Sequence, residues 1–144
     1  MKILFVEDEA NARIGLKALL CHDGHQVDEA SDADEAVRKL RSNAYDCILL
    51  DVVLPPGKAL HGVPFREVGK ELLLSLRAGS FGKLQTSRQV PVVVLTAVGD
   101  MDLIAEIRNT SHLVLLKPIE PVEAVSEMLR AGILPGHRSD AGSV

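Results

Sequence analysis

The sequence predicts an α/β chain folded as a doubly wound parallel sheet, and three observations carry that prediction. Short apolar runs recur along the chain at Ile3–Val6, Tyr45–Val53, Val90–Leu95 and Leu113–Leu116, with a weaker one at His25–Ala30. Segments with helical spacing of apolar residues lie between them, so strand and helix alternate five times. The runs are apolar at consecutive positions, which suits strands buried on both faces of a sheet. Right-handed crossovers then place helices on both sides of that sheet.

Each element has its own justification. Ile3–Val6 is stopped by the acids Glu7 and Asp8. Ala12, Leu16, Leu19 and Leu20 give the first helix its period, and Gly24 is placed to end it. Ser31 and Asp34 match a capping box ahead of a helix that carries Ala33, Ala36, Val37 and Leu40 inward. After the strand ending near Asp51, the stretch from Leu54 to Pro64 holds Pro55, Pro56, Pro64, Gly57 and Gly62 and reads as a loop. Phe65, Val68, Leu72, Leu73 and Leu76 restore helical period up to Gly79, and Gly79–Gln89 is a second long polar connection. Leu103, Ile104 and Ile107 mark a less regular fourth helix over Asp102–Asn109. Pro121 suits the first turn of a fifth helix with Val122, Val125 and Leu129 inward. The domain is expected over residues 1–131, with residues 132–144 a frayed tail rich in Gly, Ser and charge.

Composition removes several function classes. The 144 residues are 47% hydrophobic with mean hydropathy +0.15, enough for one packed core and incompatible with global disorder. The net charge of −4 comes with no basic run, and 3% aromatic content leaves no stacking platform, so no nucleic-acid partner is expected. Cys21 and Cys47 form no metal or redox spacing, and His22, His25, His61, His112 and His137 fall at no zinc-like spacing. No apolar stretch approaches the about 20 residues a membrane span needs. The first apolar run is also too short for a secretory signal. The chain therefore reads as cytoplasmic, with no membrane partner.

In an open α/β sheet the ligand crevice lies beyond the carboxyl ends of the strands. There the first strand delivers Glu7, Asp8 and Glu9, the third Asp51, the fourth Thr96-Ala97 and the fifth Lys117-Pro118. Converging carboxylates repel one another, which raises a pKa or recruits a cation. Hard oxygen donors of this kind suit Mg²⁺. A hydroxyl and an ammonium on the opposite rim complement the equatorial oxygens of a phosphoryl group. Asp51 would be the nucleophile that forms an acyl phosphate. Taken singly, each residue has an ordinary role: a strand-end Asp caps or turns, Thr96 is a β-branched strand residue, and Lys117 is a surface charge. The ordered set on one rim points to phosphoryl chemistry.

The stretches Ile3-Leu4-Phe5-Val6-Glu7-Asp8-Glu9, Cys47-Ile48-Leu49-Leu50-Asp51-Val52-Val53-Leu54-Pro55, Pro91-Val92-Val93-Val94-Leu95-Thr96-Ala97 and Leu115-Leu116-Lys117-Pro118 resemble the receiver domain of two-component response regulators. The resemblance covers residues 1–131 and implies a flavodoxin-like, three-layer α/β/α fold with a five-stranded parallel sheet in the order 2-1-3-4-5. It implies that Asp51 is the phosphoacceptor and that Glu7 and Asp8 are the metal-binding acid pair. Asp51 itself and the backbone carbonyl of Val53 complete the Mg²⁺ ligands. Thr96 resembles the switch hydroxyl, and Lys117 the lysine that pairs with the phosphoryl group, followed by a cis bond to Pro118. The implied partners are a histidine kinase or phosphotransfer protein and a downstream protein of unknown identity. A homodimer through the face made by the fourth helix, fifth strand and fifth helix is also implied.

Three features depart from the family pattern. Val114 stands three residues before Lys117, where the family usually carries Tyr or Phe. The connections 54–64 and 79–89 exceed the usual about 2–6 residues of such loops, and as loops beside the acid cluster they are expected to carry recognition. No effector domain fits in the residues after Gly132, so a stand-alone receiver is expected, with output through a binding partner chosen by the 54–64 insertion and the face containing Val114. Such a chain accepts phosphate without being a turnover enzyme. Two alternatives follow. A phosphorylation-independent pseudo-receiver would act purely as an interaction module. A haloacid-dehalogenase-like phosphatase also uses Asp, Thr and Lys on such a sheet, but wants an acid where this chain has Val53, and places its acid pair late rather than first.

Overall fold

The computed structural model describes residues 1–97, 99 and 101–136. Its strands are β1 (Lys2–Val6), β2 (Gln26–Ala30), β3 (Cys47–Asp51), β4 (Val92–Thr96) and β5 (Leu113–Leu116). They alternate with helices α1 (Ala10–His22), α2 (Ala33–Ser42), α3 (Phe65–Ala78), α4 (Met101–Thr110) and α5 (Pro121–Arg130). The sheet is parallel throughout and runs β2-β1-β3-β4-β5, the expected order. The chain reverses its direction of winding between β1 and β3, so those two strand ends flank a crevice.

Strand periodicity divides the core into two layers. Ile3, Phe5, Cys47, Leu49, Val93 and Leu95 point to one side, where Leu16 and Leu20 of α1 and Ala124, Val125 and Met128 of α5 cover them. Leu4, Val6, Ile48, Leu50, Val92 and Val94 point to the other, under Val37 and Leu40 of α2, Leu72 and Leu73 of α3 and Ile107 of α4. Burial on both faces explains why these strands are apolar at every position. Each fully buried aliphatic side chain contributes about 1.5–3 kcal/mol, which offsets the ordering entropy of short strands.

Glycines close α1 and α3. After α1, Gly24 has φ +95°, its N–H donates to Cys21 O, and His25 N–H donates to Leu20 O. Gly79 repeats the pattern after α3, with Gly79 N–H on Leu76 O and Ser80 N–H on Ser75 O. Both satisfy carbonyls that the helix leaves orphaned.

Four local expectations are corrected. The cap of α2 is Asp32, whose carboxylate accepts Glu35 N–H at 2.7 Å, rather than the Ser31–Asp34 pair. Asp34 instead accepts Lys58 N–H and Ala59 N–H at 2.8 and 2.7 Å, fastening the 54–64 loop to α2. The inner face of α5 is Ala124, Val125 and Met128; Val122 is 67% exposed, and Leu129 is also exposed. The connection 79–89 lies at the opposite end of the sheet from the acid cluster. There Thr86 Oγ1 donates to Asn43 O and accepts Tyr45 N–H, just before β3 begins. An α-to-β connection returns to the amino ends of the strands, so length did not bring it to the crevice. Ile133 and Leu134 are buried against the α1–α5 layer, so packed structure continues past residue 131. The rest of the expected tail, 137–144, lies outside the described residues.

Candidate functional site

Four strand ends build the site. β1 ends at Val6, and Glu7 N–H still donates to Ala30 O at 2.9 Å beside β2 before the chain bends at Asp8. That bend leaves the Glu7 side chain inside and Asp8 exposed. Asp51 is the last residue of β3, in register with Leu95. β4 ends on the buried Thr96, whose carbonyl accepts Lys117 N–H at 2.8 Å, so Lys117 enters beside it as β5 ends. The Lys117–Pro118 peptide is cis, as the family resemblance implies.

Glu7, Asp8 and Asp51 each place a carboxylate oxygen within 4.8 Å of the others. Lys117 Nζ bridges two of them, at 2.6 Å from Glu7 Oε1 and 2.9 Å from Asp51 Oδ2. The second Asp51 oxygen, Oδ1, accepts the Val53 backbone N–H at 3.0 Å. Glu7 is 2% exposed and Asp51 7%, so both acids are almost withdrawn from water. Burial, reinforced by a hydrogen bond to the Asp51 carboxyl, pushes the Glu7 pKa up to about 7, although Lys117 pulls the other way. Burial also disfavours the Lys117 charge, but bonds to Glu7 and Asp51 outweigh it and raise the Lys117 pKa. One ammonium thus faces a group of three carboxyls, which leaves a site short of positive charge.

The donor set fits Mg²⁺. It offers only hard oxygens, and exposed Asp8 lets a partly hydrated ion approach from solvent. Glu7, Asp8, Asp51 and Lys117 come together as expected. Thr96 lies on the neighbouring strand end, and Val53 follows Asp51 with its N–H on the Asp51 carboxylate. Sequence reasoning missed Arg13, whose guanidinium donates to the Glu7 carbonyl and to Ser31 Oγ, bracing the turn after β1. Nothing in the spacing of Arg13 announces that role. Also missed was Gly69 in α3, which packs on the backbone at Asp51.

The sequence profile of the response regulator receiver domain matches residues 3–129. The phosphate regulon transcriptional regulatory protein PhoB of Escherichia coli K12 is 34% identical over 128 residues, 88% of this chain and 49% of that protein. The transcriptional regulatory protein SrrA of Staphylococcus aureus is 30% identical over 125 residues, 86% of this chain and 44% of that one. The chain thus spans about half the length of the curated relatives it matches. Among solved structures, a CheY-like receiver domain from Methanospirillum hungatei JF-1 shares the fold, with TM-score 0.70, 20% identity and 90% of each chain covered. The receiver domain of the sensor histidine kinase PA1611 from Pseudomonas aeruginosa PAO1, with a magnesium ion coordinated in its active-site cleft, has TM-score 0.68 and 26% identity, covering 91% of this chain and 97% of that one. Fold, profile and acid cluster agree, and the chain belongs to the response regulator receiver domain family of two-component systems.

Proposed function

We propose that Asp51 accepts a phosphoryl group from the phosphohistidine of a histidine kinase or phosphotransfer protein, switching a partner-binding surface in a phosphorelay. An Asp51 carboxylate oxygen attacks phosphorus, the P–N bond to imidazole breaks, and that ring nitrogen leaves with the electron pair and takes a proton. Glu7, Asp8, Asp51 and the Val53 carbonyl would hold Mg²⁺, which neutralises charge between the carboxylates and the phosphoryl oxygens. Lys117, already 2.9 Å from Asp51, is placed to pair with one phosphoryl oxygen. The Thr96 hydroxyl would take another. The domain promotes its own phosphorylation and dephosphorylation without turning over a separate substrate.

The observation that carries this reading is Lys117 Nζ bonded to both Glu7 and Asp51 within a three-carboxylate group. A lone strand-end acid would need no such partner. The switching surface is the α4–β5–α5 face, where Met101, Leu116 and Val122 are exposed and a homodimer or downstream protein could bind. The 54–64 loop, fixed by Asp34, would help select the phosphodonor. Incubation with acetyl phosphate and Mg²⁺ tests the core of the proposal. Intact-mass spectrometry should show one added phosphoryl group on the wild type and none on Asp51→Asn. An unmodified wild type would favour the phosphorylation-independent module instead.

A further inference from the structure

Gly69 lies in the second turn of α3, where a glycine weakens a helix by about 1 kcal/mol relative to alanine. Its φ is not positive, so no turn conformation demands glycine there. The demand comes from contact. A Cβ at Gly69 would stand 2.4 Å from Asp51 O and 2.4 Å from Val52 Cα, both backbone atoms that no rotamer change can clear. Backbone bonds also cross here: Gly69 N–H donates to Val52 O at 2.9 Å, and Phe65 O accepts Leu54 N–H at 3.0 Å. Two backbone bonds therefore stitch the start of α3 to residues 52–54, the segment directly after Asp51.

We infer that Gly69 is a positioning residue for the phosphoacceptor, acting through the Val52–Val53 backbone; this rests on Asp51 being the phosphorylated group. β3 is an interior strand held by β1 and β4, and its ladder with β4 reaches Asp51. Val52 and Val53 lie past the paired residues, so they yield first when α3 is pushed away. Val53 N–H holds Asp51 Oδ1 at 3.0 Å, and the Val53 carbonyl is the proposed backbone ligand of Mg²⁺. Displacing that segment by about an ångström turns the carboxylate and moves the ligand, a misplacement on the scale that costs enzymes up to about a hundredfold.

Gly69→Ala tests this against Leu76→Ala, which empties a buried site two turns farther along the same helix. Each protein is titrated with Mg²⁺ alone by calorimetry, then phosphorylated with acetyl phosphate and Mg²⁺, at a temperature where circular dichroism shows it folded. Gly69→Ala should phosphorylate about ten- to a hundredfold more slowly and bind Mg²⁺ more weakly, whereas Leu76→Ala should lose thermal stability but keep the wild-type rate. Equal rates for Gly69→Ala and wild type would overturn the inference, as would slowing in both variants in proportion to lost stability. If the wild type itself takes no phosphoryl group, the proposed function fails. The Mg²⁺ titration then decides Gly69 separately: weaker binding in Gly69→Ala alone supports its positioning role, and unchanged binding overturns it.

Discussion

Glu7 is the residue on which the electrostatics of the site turn. Its folded-state pKa is raised from 4.5 to about 7 by burial and the neighbouring Asp51 carboxyl. The fold therefore favours the protonated acid. That stabilising contribution is complete below the unfolded pKa and is lost as pH rises through about 7. Without Mg²⁺, the wild type should lose stability relative to Glu7→Gln between about pH 5 and pH 8, by on the order of 2 kcal/mol. Urea denaturation of both proteins across that range checks the sign. A flat difference would show that Glu7 ionises freely. The same proton opposes Mg²⁺, which needs the carboxylate, so Mg²⁺ affinity should fall as pH drops below about 7. The chain positions of Glu7, Asp8, Asp51, Thr96 and Lys117 were legible because each follows an apolar run, and a strand's end fixes where its next side chain goes. Arg13 and Gly69 were not legible. One acts on a carbonyl and the other through an absent side chain, and neither leaves a pattern in residue type.

At the scale of elements, periodicity located every strand and helix but misassigned some faces. In α5, Val122, Val125 and Leu129 form as good a stripe as the true one. Ala124, Val125 and Met128 meet the sheet instead. Hydrophobic spacing gives the width of a buried stripe; its rotation depends on how the neighbouring turn enters. Met128→Ala should cost about 2–5 kcal/mol, whereas the exposed Val122→Ala should change stability by no more than about 0.5 kcal/mol. Equilibrium denaturation distinguishes them, and the reverse ranking would contradict the observed face. The α2 cap shifted for a comparable reason. Asp32 and Asp34 are both competent caps, and Asp34 was drawn to the 57–59 backbone by a long-range contact.

For the whole molecule, sheet order follows from five apolar strands with helical crossovers, and order is what gathers the site. With β1 and β3 adjacent and β4 and β5 beyond, residues far apart in sequence, Glu7 and Lys117, come within 2.6 Å. No local signal encodes that distance; it emerges from topology. The two long connections illustrate the same point. Both are eleven residues long, yet the parallel sheet sends 54–64 to the carboxyl ends of the strands and 79–89 to the amino ends. Among the described residues no helix is long and apolar enough to cross a membrane.

The most direct test of a phosphoryl group carried by the pocket of Glu7, Asp8, Asp51 and Lys117 is to locate it. After treatment with acetyl phosphate and Mg²⁺, borohydride reduction converts an aspartyl phosphate to homoserine, and peptide mass mapping finds the converted residue. The account predicts conversion at Asp51, strongly reduced in Lys117→Ala and in Asp8→Asn. Conversion at another acid, or labelling that persists undiminished without Lys117 and Asp8, would contradict it.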